Sequence, residues 1–280
     1  MFIFKKILKF SFLIIFLLNF SSCTSNIQTN KIKPKTTIPL EVLYKNALDS
    51  FQNGNYNNAL ELFELVEKNY SYTDWAPKAS LMRSYIYYET ANYILALTNL
   101  QKFKSRYSGN KDFVYAEYLI AVCMFEQINF VALSQEPSEL ALKQFNKIIR
   151  DYPNTSYASD AKFKIDLIYE QLAAKEMYLA RYYAKRDKWI PALYRLNNIV
   201  KNYQNTIFIE EALHRLVEIN YKVGNINSAK KYAAILGYNF NDSNWYKKSY
   251  KILQERNTKL EKNKQNNSLK EKIKQIIQLN

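Results

Sequence analysis

The segment Gly54-Asn55-Tyr56-Asn57-Asn58-Ala59-Leu60-Glu61-Leu62-Phe63 constrains the fold more than any other, because it recurs. Ala-Asn-Tyr-x-x-Ala-x-x-x-Leu returns at Ala91 to Leu100, and Asp-Lys-Trp-x-x-Ala-x-x-x-Leu at Asp187 to Leu196. A fourth copy, Gly-Asn-Ile-x-x-Ala-x-x-x-Ala, runs from Gly224 to Ala233. A glycine that reverses the chain after one helix, then a small residue that lets the next pack closely, is a helix-turn-helix unit. A small residue upstream keeps the same step: Ala47, Ser84 and Ala121 lie 37 residues apart, as do Ala192 and Ala229. A fixed period in this range builds an α-solenoid, in which each unit buries its apolar face against its neighbours. The expected class is therefore all-α, with about five helix pairs.

Four glycines and six prolines among 280 residues, with abundant Leu, Ile, Ala and Tyr, agree with helices. Repeat one spans about 40–72 and repeat two about 76–107, opened by Pro77. Repeat three places its helices at about 113–127 and from Pro137 to Tyr152-Pro153, with an insertion over 129–136 between them. The distance from Ala141 to Ala192 exceeds one period by 14 residues, about four helical turns. With Ala161, Ile165, Ile168 and Leu172 on one face, this predicts a single long helix over 158–185 that joins two halves. Repeat four ends over 189–203, repeat five covers 209–236, and a capping helix is expected around Trp245. The expected organisation is a signal (1–22), a flexible tether (23–39), repeats one to three (40–157), the long helix with repeats four and five (158–254), and a basic, disordered tail (255–280).

Lys5, Lys6 and Lys9 precede the apolar run Phe10 to Phe20, which is too short to span a bilayer comfortably. The run ends in Phe20-Ser21-Ser22-Cys23, which resembles a lipobox, so Cys23 is the expected lipid-bearing residue after cleavage. Thr24 follows it where an Asp would signal retention in the inner membrane, which points to the outer membrane. The other cysteine, Cys123, lies in an apolar helix and reads as a small buried hydrophobe. The formal charge is +15, of which +12 remains from Cys23 onward, spread as dispersed lysines among asparagines. A nucleic-acid binder would show a clustered basic stripe, so no nucleic acid is expected.

Several segments resemble the BamD (ComL/YfiO) family of outer-membrane assembly lipoproteins. They are Leu62 to Tyr70 (Leu-Phe-Glu-x-x-Glu-x-x-Tyr), Tyr85 to Glu89 and Tyr152 to Ala161 (Tyr-Pro-Asn-Thr-x-Tyr-Ala-x-Asp-Ala). Lys175 to Tyr183 and Ala234 to Asn239 extend the likeness across roughly 40–250, beside the acylated cysteine and five tetratricopeptide repeats. Ser71 stands where the family carries Pro, Arg106 to Gly109 replaces a His-Pro loop, and 255–280 has no counterpart. The resemblance implies a lipid-anchored periplasmic scaffold at the outer membrane. It would dock on the periplasmic domain of the barrel-forming subunit, act with other assembly lipoproteins, and help recognise and insert unfolded outer-membrane proteins.

Counting from Ala47, Ser84 and Ala121, the inward positions of the first helices are Tyr44, Leu48, Phe51, Leu81, Tyr85, Tyr88, Tyr118, Val122 and Phe125. Six are aromatic and are candidates to line a substrate groove; the same spacing also serves solenoid packing. The equivalent positions in the second half, among them Met177, Arg181, Lys185, His214, Glu218 and Lys222, are mostly charged. Arg181, Lys185 and Glu218 are therefore partner-docking candidates. The resemblance adds Arg195 to that group, offered to a carboxylate of the partner, and Tyr70 as a substrate contact. His214 is the sole histidine and reads as a plain surface or groove residue. The sequence holds no Gly-rich phosphate loop, Ser/His/Asp set or metal-ligand spacing, so no enzyme activity, metal or cofactor is expected. The competing functions are a cell-envelope peptidoglycan- or DNA-binding lipoprotein and another lipid-anchored repeat scaffold.

Overall fold

Among the described residues four helix pairs turn through one left-handed residue, the two in each half lying 37 residues apart. Gly54 (φ 74°) and Ala91 (φ 56°) hold it in the first half, Asp187 (φ 56°) and Gly224 (φ 84°) in the second. The residue after it closes the helix end in a Schellman pattern: Asn55 N donates to Ser50 O at 2.8 Å, Asn92 N to Tyr87 O at 2.8 Å, and Lys188 N to Tyr183 O at 3.1 Å. The computed structural model of the chain describes residues 38–128 and 136–255. The signal, most of the tether, the insertion over 129–135 and the tail from 256 lie outside the described residues.

The described helices are α1 (Leu40–Gln52), α2 (Tyr56–Asn69), α3 (Trp75–Glu89), α4 (Tyr93–Arg106), α5 (Phe113–Glu126), α6 (Glu136–Asp151), α7 (Ser156–Ala184), α8 (Trp189–Asn202), α9 (Ile209–Lys222) and α10 (Ile226–Asn239). A further helix, α11, runs over 244–255. The chain divides into two units, Met1–Val42 and Leu43–Asn280, and from Leu43 on the helix pairs belong to the second. From α2 to α10 each helix packs on the next, and α3–α5 and α5–α7 also touch, as stacked repeats require.

The second helix of every pair buries a stripe at i, i+4 and i+7. The sets are Ala59-Phe63-Val66, Ala96-Leu100-Phe103, Ala141-Phe145-Ile148, Ala192-Leu196-Ile199 and Ala229-Ala233-Leu236, all buried. The alanine admits the facing helix, and each large side chain contributes roughly 1.5–3 kcal/mol by leaving water. Between repeats, a tyrosine ends the second helix and a threonine three residues on folds back to it. Thr73, Thr155 and Thr206 donate from Oγ1 to the carbonyls of Tyr70, Tyr152 and Tyr203 at 2.7–2.8 Å. The sequence echo between Tyr152 to Thr155 and Tyr203 to Thr206 is this turn.

Helix α7 is continuous over 29 residues, capped by Thr155, whose side chain accepts from Ala158 N. Its first half packs Ala161, Ile165 and Ile168 against α5 and α6; its second half packs Met177 and Ala180 against α8 and α9. Helix α11 seats Tyr246 on Gly237, where an added Cβ would stand 2.7 Å from the ring.

Candidate functional site: an aromatic face and a charged cavity

The aromatic candidates of α1, α3 and α5 are half-buried, while Leu81 and Val122, counted with them from spacing, are core. Tyr44 packs edge-on against Phe63 (5.3 Å between centroids) and Trp75 (4.6 Å). Phe51 meets Tyr85 at 6.0 Å, and Tyr85 meets Tyr88 at 6.1 Å, so one row crosses from α1 to α3. Tyr88 continues it toward Tyr118 and Phe125 around the α5–α7 core. There Tyr118 donates its hydroxyl to Asp160 Oδ2 at 2.6 Å and its ring lies 5.1 Å from Tyr157. Phe125 rests on Phe145 with Lys164 Nζ 4.8 Å above its ring. A hydrogen bond to Glu89, then burial, pushes the Tyr85 phenol up to about 12; burial and the Asp160 bond raise Tyr118 as well. The row thus presents neutral hydroxyls to its surroundings at every physiological pH.

Tyr70 is half-buried at the end of α2, and its place recurs as Tyr107, Tyr152 and Tyr203 at the ends of α4, α6 and α8. Beside it, a cavity of about 610 Å3 lies between α2, α3 and α4. Arg83 spans Glu64 (3.1 Å) and Glu67 (3.0 Å) there, and Arg106 reaches Glu67 at 3.0 Å.

Buried carboxylates clamp neighbouring repeats, a feature spacing alone did not expose. Glu117 on α5, 1% exposed, takes Lys104 of α4 at 2.8 Å, Lys147 of α6 at 2.7 Å, and the Gln144 amide. Burial pushes its carboxyl up, but the lysine and glutamine bonds together hold it below its usual value. Glu176, four residues before Ala180 as Glu117 is before Ala121, is likewise buried and pairs with Arg195 at 3.1 Å. Arg195, expected from the resemblance to meet a partner's carboxylate, is therefore already held by this chain through Nη1.

Arg181, Lys185 and Glu218 are brought together around a cavity of about 560 Å3 between α7, α8 and α9. Arg186, Arg215 and Lys222 add to its charge, and Tyr178, Tyr182 and Trp189 supply its rings. Arg181 pairs with Glu211, which also takes Arg215 Nε at 2.6 Å. Glu218 takes Lys222 at 3.2 Å. Arg195 is not part of this lining.

Two expectations need correction. Met177, counted as an inward charged-half position, is wholly buried against α8 and α9, because its thioether fills the α7–α9 core. His214 is not a surface or groove residue: helix α11 covers it, Ser249 Oγ lies 2.8 Å from Nδ1, and the Trp245 ring lies 5.1 Å away. Cys123 is buried and free, its thiol pushed up to about 12 by burial. Among the described residues no cluster of three His, Cys, Asp or Glu could hold a metal, and no helix is long and apolar enough to cross a membrane.

Stacked helix pairs clamped by carboxylates define a tetratricopeptide-type solenoid. Residues 37–236 match the family described as YfiO, outer membrane lipoprotein. The chain belongs to that family, which makes it an outer membrane lipoprotein. It is 39% identical over 215 residues to outer membrane protein assembly factor BamD of Caulobacter vibrioides, covering 77% of this chain and 70% of that protein. The protein of the same name from Rickettsia prowazekii is 34% identical over 231 residues, 82% of this chain and 90% of that one. That of Neisseria gonorrhoeae is 31% identical over 194 residues, 65% and 72% respectively.

Proposed function

We propose that this lipoprotein is an outer-membrane protein assembly factor, a scaffold rather than an enzyme, whose two halves do different work. Acylated Cys23 holds it on the periplasmic face of the outer membrane. Residues 40–157 receive unfolded outer-membrane proteins on the row of Tyr44, Phe51, Tyr85, Tyr88, Tyr118 and Phe125, with Tyr70, at the end of α2, as a separate contact. Residues 158–254 dock on the periplasmic domain of the barrel-forming subunit through Arg181, Lys185 and Glu218, and other assembly lipoproteins join the same complex. Arg195, oriented by Glu176, offers Nε and Nη2 to that partner.

The observation that supports this division is the change of surface chemistry along one frame. Half-buried rings line α1, α3 and α5, and a predominantly cationic cavity opens between α7, α8 and α9, with the unbroken α7 joining the two halves. Tyr and Phe give large contact area at low conformational-entropy cost and keep a polar edge, which suits an extended strand that must be passed on. The charged half suits a folded partner, because charge complementarity fixes register.

The test compares two full-length variants. Tyr85→Ala/Tyr88→Ala should weaken binding of a synthetic C-terminal β-strand peptide of an outer-membrane barrel by about 2 kcal/mol and leave co-purification of the barrel-forming subunit intact. Lys185→Glu, at an exposed position, should do the reverse. Exchange of the two phenotypes would overturn the assignment of the halves.

A further inference from the structure

The cavity between α7, α8 and α9 holds more positive charge than its internal pairs consume. Arg181 and Arg215 share Glu211, and Lys222 lies on Glu218. Lys185 and Arg186 meet no carboxylate among the described residues; Arg186 instead lies 3.7 Å above the Tyr182 ring and donates to the Tyr182 carbonyl at 3.4 Å. Five cations therefore face two carboxylates, an excess of three charges. The C-terminal ends of α7 and α9 reach the cavity and each offsets about half a charge, which leaves about two uncompensated.

The uncharged part of the lining is aromatic. Trp189 opens α8 with Lys222 Nζ 5.4 Å from its ring, and Tyr178 stands 61% exposed on the facing wall. The volume, about 560 Å3, falls in the range of about 300–1,000 Å3 usual for ligand pockets. Helix-end neutralisation accounts for single lysines at helix termini. It does not account for a concave site in which two unpaired cations and an aromatic wall converge.

We propose that this cavity is the receptor for an acidic linear segment of a partner protein. The segment carries two carboxylates flanking one apolar or aromatic residue. One carboxylate meets the unpaired Lys185 and Arg186, the other shares Lys222 with Glu218, and the ring between them stacks on Trp189 and Tyr178. This deepens the docking reading above and rests on it. The chain's own segment 256–280 is a poor occupant, since it has seven basic and two acidic residues. A flat anionic membrane would touch only the rim and leave the aromatic wall unused.

The probe is a fluorescein-labelled peptide with a Glu-Phe-Glu core in a Gly-Ser frame, titrated against the full-length chain by anisotropy. Saturable binding is expected, weakened at least tenfold when the core is Gln-Phe-Gln, and weakened again by raising salt from 0.05 to 0.5 M. Lys185→Ala/Lys222→Ala, both exposed positions, should weaken it at least tenfold with an unchanged helical circular-dichroism spectrum. Trp189→Ala should weaken it without removing the salt dependence. Equal binding of the acidic and neutral peptides, or undiminished binding by the double variant, overturns the proposal. So does a double variant that keeps the peptide but loses phosphatidylglycerol vesicles, which would make the cavity a lipid contact. A variant that loses the peptide yet still co-purifies with the barrel-forming subunit supports the receptor and refutes only its assignment to that subunit. Docking that depends on Lys185 with no peptide binding in the wild type refutes the receptor alone.

Discussion

Replacing Glu117 by alanine removes the carboxylate that holds α4, α5 and α6 in one cluster. The side chain is 1% exposed and accepts from Lys104 Nζ at 2.8 Å and Lys147 Nζ at 2.7 Å. Breaking a buried ion pair from one side costs about 3–5 kcal/mol, chiefly because the remaining charge is stranded. Here the two lysines keep 23% and 36% of their side-chain surface, so water can take them back and the low end, about 3 kcal/mol, applies. For a folded region of this size that corresponds to about 6–12 °C in the unfolding midpoint. The assay is urea and thermal unfolding of the full-length chain, with hydrogen exchange to locate the loosened amides in α4 to α6. Acid supplies a second signature. The folded carboxyl titrates below its ordinary value, so its stabilisation is complete above about pH 4.3 and is lost as pH falls through the folded value. The gap between wild type and variant should therefore close in acid. A variant within about 0.5 kcal/mol of wild type at pH 7, the scatter of ordinary surface changes, or a gap that does not shrink at all as the pH is lowered from about 4.3 into acid, refutes the clamp.

Ala91 pays for its left-handed φ with a Cβ that Gly54 and Gly224 lack, so Ala91→Gly should raise stability by about 0.5–1 kcal/mol, read from the denaturation midpoint. Leu172→Pro, in the middle of α7, should cost about 3 kcal/mol or more and bend the frame; unchanged small-angle scattering would show that α7 does not set it. Burial holds His214 below its ordinary value, with Glu218, Glu211, Arg215 and Lys248 facing it. The contribution of this group is complete above about pH 6.5 and falls as pH drops below that toward the folded value. Trp245 fluorescence, in a Trp75→Phe/Trp189→Phe background, should report loosening of α11 over that window, and His214→Gln should abolish the dependence.

The helix pairs were legible in the sequence because close packing leaves few choices at the crossing points. Ala59, Ala96, Ala192 and Ala229 must be small, and Gly54 and Gly224 must turn left-handed, so period and fold are written in the same residues. The length of α7 followed from its apolar face and the extra 14 residues between Ala141 and Ala192. The clamps were not legible. A glutamate between Ala116 and Tyr118 looks like any solvated helix position until α4 and α6 place lysines from 13 and 30 residues away upon it. The same holds for Glu176, whose arginine lies 19 residues on, and for His214, buried by a helix whose contact at Ser249 is 35 residues away. Spacing puts Arg181, Lys185 and Glu218 on one face, and all three line one cavity. It could not show that Glu211 and Glu218 leave Lys185 and Arg186 unmatched, because that balance depends on rotamers at the α7–α9 crossing.

Under the proposed division of labour, one scaffold holds two partners at chemically different halves. The direct measurement is site-specific photocrosslinking in living cells, with a photoreactive amino acid placed at Tyr88 in one strain and at Lys185 in another. The probe at 88 should capture newly exported outer-membrane proteins in a pulse and release them in a chase. The probe at 185 should capture the barrel-forming subunit at constant yield throughout. Capture of the barrel-forming subunit from position 88, with nascent outer-membrane proteins trapped only from position 185, would contradict it.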